Sequence, residues 1–136
     1  MKILVTGGTG YIGSHTAVDL LNSGYEIVII DNFSNSKSDV LDKIKLITNK
    51  DFKFYEGDVC NKDLLRKIFN ENKIDAVIHF AGYKAVGESV KKPIMYYRNN
   101  IDSTLSLIEV MNEFNCKKNR IFIKCNCIWK SYNPSY

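Results

Sequence analysis

The sequence predicts an α/β fold, a doubly wound parallel sheet with helices on both faces, and three observations carry that expectation. Short apolar runs alternate along the chain with segments whose apolar residues recur every three or four positions, the rhythm of strands joined by helical crossovers. A glycine-rich turn joins the first run to the first helical segment. The stretch Ala76-Val77-Ile78-His79-Phe80 is nearly continuous in apolar residues, as a central parallel strand with both faces covered must be.

Lys2-Ile3-Leu4-Val5 reads as the first buried strand, and Ile12, Ala17, Leu20 and Leu21, stopped near Gly24, as the helix after it. The turn between them holds the pattern Gly8-x-Gly10-x-x-Gly13. Without Cβ atoms there, the chain can turn tightly, its backbone can approach a pyrophosphate, and the helix start can pack on the strand. The phosphates would meet the unpaired N–H groups and the positive end of the helix dipole. Glu26-Ile27-Val28-Ile29-Ile30 reads as a second strand with Asp31 at its C-terminal end. A carboxylate in that place accepts hydrogen bonds from both adenosine ribose hydroxyls and repels a 2′-phosphate, which predicts NAD in preference to NADP.

Asn32 to Ser38 is a polar loop, and Ser38 is placed to cap a helix whose buried side carries Val40, Leu41, Ile44 and Ile47. Phe52 to Glu56 alternates as a third strand, closed by Gly57-Asp58-Val59. Asn61 then caps a helix with Leu64, Leu65, Ile68 and Phe69 as its apolar stripe. The fourth strand runs into Ala81-Gly82-Tyr83-Lys84, a loop at a strand's carboxyl end, where open α/β sheets bind ligands. After Pro93 a long helix is predicted to bury Ile101, Leu105, Ile108 and Met111, with Asn99 and Asn100 near its start. His15, His79 and the Tyr96-Tyr97 pair read as packing residues, since neither histidine has a partner at a metal or triad spacing.

At 136 residues the chain suits one domain, and its 45% hydrophobic and 25% charged content is that of a globular protein. The net charge of +4 is scattered, with no basic run interleaved with aromatics, which argues against a nucleic-acid partner. No stretch approaches the roughly 18 apolar residues that cross a bilayer. The first apolar run is too short for a signal peptide, so a cytoplasmic location without membrane attachment is expected. Cys60, Cys116, Cys125 and Cys127 lack paired zinc spacing; free thiols and no metal are expected.

The pieces Val5-Thr6-Gly7-Gly8-Thr9-Gly10-Tyr11-Ile12-Gly13-Ser14-His15, Asp31-Asn32, Glu56-Gly57-Asp58, His79-Phe80-Ala81-Gly82 and Lys84-Ala85-Val86-Gly87-Glu88-Ser89 resemble the extended short-chain dehydrogenase/reductase superfamily. Within it they are similar to the UDP-glucose 4-epimerase family, over Met1 to about Lys118. The resemblance implies a Rossmann-type domain, C-terminally truncated, that holds NAD. Gly7, Gly10 and Gly13 with the amides of Tyr11 and Ile12 would hold the pyrophosphate, and Asp31, Asn32, Asn35 and Ser36 would surround the adenosine ribose. Asp58 and Val59 would flank the adenine. Phe80, Ala81, Gly82 and Lys84 would line the path to the nicotinamide ribose, with Asn99 behind them. For Asn99 a helix cap, and for Val59 plain packing, are the alternatives.

The resemblance also implies a UDP-hexose substrate, a role in galactose metabolism and a homodimeric full-length form. The alternatives are another nucleotide-sugar epimerase or dehydratase of the superfamily, or a non-catalytic NAD-binding remnant. The family's proton-transfer base is a Tyr with a Lys four residues on, and no tyrosine here is so followed, so no catalytic residue is assigned.

Residues 119–136 depart from the family. Codons AAG TGC AAC TGT ATA TGG AAA TCC TAC are permitted for Lys124 to Tyr132. Read one nucleotide later, they encode the family segment Ser-Ala-Thr-Val-Tyr-Gly-Asn-Pro. This predicts a reading-frame shift between about Lys118 and Lys124, an NAD-binding unit at 1–118 and an anomalous tail that leaves Cys125, Cys127 and Trp129 without selected chemistry. A genuine divergent tail is the alternative.

Overall fold

The computed structural model describes residues 1–83 and 85–121. Strands β1 (Lys2–Thr6), β2 (Glu26–Asp31), β3 (Lys53–Glu56), β4 (Ala76–His79) and β5 (Lys118–Ile121) alternate with helices. These are α1 (Tyr11–Asn22), α2 (Asp39–Thr48), α3 (Lys62–Glu71), α4 (Val86–Lys91) and α5 (Pro93–Glu113). The sheet is five-stranded in the order β3-β2-β1-β4-β5, and every pairing is parallel. The chain therefore winds from β1 out to β3, returns across the sheet, and continues outward from β4. A crevice opens between β1 and β4, at the point where the winding reverses.

Strand alternation assigns the two faces. Ile3, Val5, Ile27 and Ile29 point to the side of Ala17, Leu21 and Ile44 from α1 and α2. Leu4, Val28, Ile30 and Val77 point the other way, to Leu65, Ile68 and Phe69 of α3 and Leu107, Val110 and Met111 of α5. A slip of one residue in β1 or β2 would exchange the two sets, so burial on both sides fixes the register. Asn61 caps α3 as expected, its side chain accepting from the Leu64 amide at 3.1 Å.

Three sequence expectations need correction. Ser38 stands at the N-cap of α2 but makes no side-chain capping bond, because its backbone is already helical. On α2, Ile47 is 66% exposed, while Ile44 and Thr48 are the buried positions. On α5, Ile101 and Leu105 are half exposed, and the buried line is Tyr96, Ser103, Ser106, Leu107, Val110 and Met111. That face carries two small serines, and Ser103 satisfies its hydroxyl on the Asn100 carbonyl at 3.2 Å. The short helix α4, which the apolar periodicity does not announce, precedes α5.

Candidate functional site

The turn after β1 is shaped by four glycines with different duties. Gly7 has φ +67°, and a Cβ on it would stand 2.7 Å from the Ala81 amide nitrogen, so the tips of β1 and β4 meet backbone to backbone. Gly8 is pressed on Ile29, whose Cγ2 would be 2.6 Å from an added Cβ. Gly13 abuts the Gly7 carbonyl, which a Cβ would approach to 2.1 Å. Gly10 differs: its nearest obstacle would be that carbonyl at 3.4 Å. Gly10 also caps α1 with no side-chain bond. The first intrahelical bond runs from Ser14 N–H to the Gly10 carbonyl at 2.8 Å. The amides of Tyr11, Ile12 and Gly13 thus precede the helical ladder at the positive end of the dipole, an arrangement that suits a phosphate.

Asp31 is buried at the tip of β2 and holds two loops together. One carboxylate oxygen accepts from the Thr9 amide of the glycine turn and the other from Phe33 N–H, each at 3.0 Å. The Thr9 hydroxyl meets the Ser36 hydroxyl at 2.6 Å. Thr9 went unnoticed in the sequence because its partners are 22 and 27 residues away. Asn32 accepts from Ser34 N–H at 3.0 Å and Asp58 from Cys60 N–H at 2.8 Å, so both side chains order their own turns. Burial first, and the Asp58 carboxylate second, push the Cys60 thiol up to about 11.

The crevice at the sheet's carboxyl edge brings together Gly7, Asp31, Asn32, Asp58, Val59, Ala81, Gly82 and Asn99 of the predicted residues, with Tyr83 and Ser103 added. Gly10, Tyr11, Ile12 and Gly13 form its glycine-turn rim rather than its lining, and Asn35 and Ser36 stand on the loop beyond β2. Val59 and Phe80 are buried in the two cores. Asn99 lies inside α5 and not at its cap, which removes that alternative. Lys84 is outside the described residues.

A larger hollow, about 570 Å³, opens at the opposite, amino-terminal edge of the strands beside Lys2, Tyr25 and Lys50. It is remote from the glycine turn.

The histidines divide. His79 is buried, with Nδ1 at 2.6 Å from the Thr6 hydroxyl, a satisfied core residue as expected. His15 is exposed on α1, its Nδ1 on the Tyr11 carbonyl at 2.7 Å, which corrects the packing assignment. Of the tyrosine pair, Tyr96 is buried and Tyr97 is 53% exposed. Among the described residues no cluster of His, Cys, Asp or Glu is placed to hold a metal ion.

A glycine turn opening a helix, an acid at the tip of the second strand and a crevice at the reversal of strand order define the dinucleotide-binding class of doubly wound domains. Within that class, the profile of the family described as GDP-mannose 4,6 dehydratase matches residues 4–126, and the chain belongs to that family. It is 58% identical over 118 residues to a UDP-glucose 4-epimerase of Bacillus subtilis, and 60% identical over 113 residues to one of Haemophilus influenzae. These alignments cover 87% and 83% of this chain but 35% and 33% of the relatives, so the chain spans about a third of their length. The crystal structure of the Bifidobacterium longum UDP-glucose 4-epimerase in complex with NAD+ and UDP superposes with a TM-score of 0.88 at 51% identity, over 89% of this chain and 36% of that one.

Proposed function

We propose that this chain is the NAD-binding part of a UDP-glucose 4-epimerase, an isomerase of galactose metabolism that interconverts UDP-glucose and UDP-galactose. The observation that carries the reading is Asp31, bonded at once to the Thr9 amide of the glycine turn and to Phe33 of the next loop. It sets a buried negative charge where the adenosine ribose of a dinucleotide would lie and a 2′-phosphate would be repelled.

The residues present fit NAD. The leading amides of α1, ahead of its first intrahelical bond, suit the pyrophosphate, with Gly7 and Gly13 holding the turn in shape. Asp31, Asn32, Asn35 and Ser36 would bind the adenosine ribose, and Asp58 and Val59 the adenine. Phe80, Ala81, Gly82, Lys84 and Asn99 would serve the nicotinamide side. When bound, NAD supplies reversible hydride exchange at C4 of the UDP-linked hexose. This chain's residues orient the dinucleotide. Deprotonation of the C4 hydroxyl needs a base that the sequence does not offer, since no tyrosine has a lysine four residues on. The chain alone is therefore expected to bind NAD without epimerising UDP-galactose.

Residues 1–118 constitute the NAD-binding unit in this reading, and 119–136 carry the shifted frame; sequencing the coding DNA tests the latter. Of that tail only the backbone as far as Ile121 lies among the described residues. A cytoplasmic location without membrane or nucleic-acid partners fits the composition, and among the described residues no helix is long and apolar enough to cross a membrane. Pairing of the full-length form as a homodimer draws support from the exposed Ile94, Tyr97, Ile101 and Leu105 along α5.

Calorimetric titration of the 136-residue chain with NAD and NADP tests the proposal. Saturable NAD binding with weaker NADP binding is expected. No association with NAD at millimolar concentration in a folded sample, or a preference for NADP, would overturn it.

A further inference from the structure

The β4 side of the crevice is formed by Ala81, Gly82 and Tyr83, which belong to no helix or strand. Their backbone groups have no ladder to join, yet the loop is half buried and must satisfy them. One side chain, Asn100 of α5, supplies much of what is needed. Its Oδ1 accepts from Tyr83 N–H at 2.8 Å, and its Nδ2 donates to the Tyr83 carbonyl at 3.2 Å. An amide is suited to this because it offers an acceptor and a donor on one planar group. Gly82 lets the clamp close: a Cβ there would stand 3.0 Å from Asn100 Oδ1. Asn99, on the crevice wall, donates to the same oxygen at 3.3 Å, so its own orientation depends on Asn100. The clamped loop is further braced by the Tyr83 ring on Tyr96, with centroids 5.2 Å apart, and Tyr96 is tied to Glu88 of α4 at 2.7 Å.

We propose that Asn100 is a positioning residue that fixes the Ala81–Tyr83 loop and Asn99 for the nicotinamide half of the dinucleotide, without itself touching the ligand's adenosine half. The inference rests on the NAD reading above. Asp31, Asn32 and Asp58, which serve the adenosine half, lie at the tips of β2 and β3. The hydrogen bonds of the Asn100 side chain run instead to Tyr83 and Asn99. Loosening the clamp should therefore weaken a ligand that spans the whole crevice and spare one that fills only its β2–β3 end.

Two probes separate these effects: NAD and ADP, each titrated into the full chain and its variants. Asn100→Ala is expected to weaken NAD about tenfold while ADP changes less than about twofold, since two hydrogen bonds that order the loop are lost. Asn100→Asp keeps the acceptor for Tyr83 N–H and should recover part of the NAD affinity. Gly82→Ala, which pushes on the clamp from the other side, should reproduce the same split. ADP binding and the far-ultraviolet circular dichroism spectrum report whether each variant is folded. Equal losses of NAD and ADP, or an Asn100→Ala chain that binds NAD like wild type, would overturn the positioning role alone. A folded wild-type chain that binds ADP but not NAD would sink both this role and the NAD reading.

Discussion

The two rims of the crevice are built by opposite means. On the β1–β2 rim the working groups are backbone amides, and the glycines that expose them stand within a few residues of one another, while Gly7 on Ala81, Gly8 on Ile29, Asp31 and the Thr9–Ser36 contact reach farther along the chain. On the β4–α5 rim the backbone of a loop is held by one side chain, Asn100, from a helix 17 residues away, and the tip of β4 is tied to β1 through Thr6 and His79, 73 residues apart. The first rim is close to a local property of sequence. The second exists only once α5 has docked, and its geometry depends on which face of that helix meets the sheet.

The largest loss is expected where α5 docks. Leu107 is fully buried, and Leu105, two residues earlier, is 51% exposed. Leu107→Ala is expected to destabilise the chain by about 2–5 kcal/mol. Leu105→Ala should stay within about 0.5 kcal/mol. Urea denaturation of both variants decides it, and equal losses would mean that the helix is turned otherwise. The next effect belongs to the other rim. Gly13→Ala drives a Cβ to 2.1 Å from a carbonyl that cannot yield, for a cost of about 1–3 kcal/mol in thermal unfolding. NAD affinity should fall with it, because α1 must shift from the turn that presents its amides. Smaller again, Asp31→Asn keeps the shape but removes the charge and replaces one acceptor by an amide NH2 donor facing an N–H. We expect NAD to weaken about tenfold and the preference for NAD over NADP to shrink by a similar factor.

The same contrast explains what the sequence disclosed. Every strand of the β1–β4 series, the glycine turn, Asp31 and the Asn61 cap were legible because each rests on neighbours in the chain or on a period of two or near four. The misreadings share a cause. An apolar count along α5 favoured Ile101 and Leu105, yet the buried face carries Ser103 and Ser106 beside Leu107, Val110 and Met111, and such a count passes over serines. Ile47 matched the α2 period but stands exposed, the buried positions being Ile44 and Thr48. Asn99 was legible as a wall residue through the family resemblance. Asn100 and Thr9 were not, since their importance lies in bonds to backbone that only the closed fold brings near.

The smallest expected effect falls on Cys60, in the turn between β3 and α3. Its thiol is half buried, its amide is bonded to Asp58, and both burial and that carboxylate raise it from an ordinary 9.0 to about 11. At pH 8 the thiolate fraction then falls on the order of a hundredfold below that of an ordinary thiol, and alkylation by iodoacetamide, followed by peptide mass spectrometry, should slow accordingly. The sign for stability follows from a raised acid: the neutral thiol favours the folded state fully below about pH 9, and that contribution is lost as pH rises toward about 11. Asp58→Asn removes the carboxylate and leaves the burial. Because burial is the larger cause, the variant should recover only part of the missing reactivity. Full recovery would mean that Asp58, and not the packing around Cys60, governs the thiol. Wild-type alkylation at the rate of an exposed thiol would mean that the Asp58–Cys60 turn opens to water far more readily than its hydrogen bond implies.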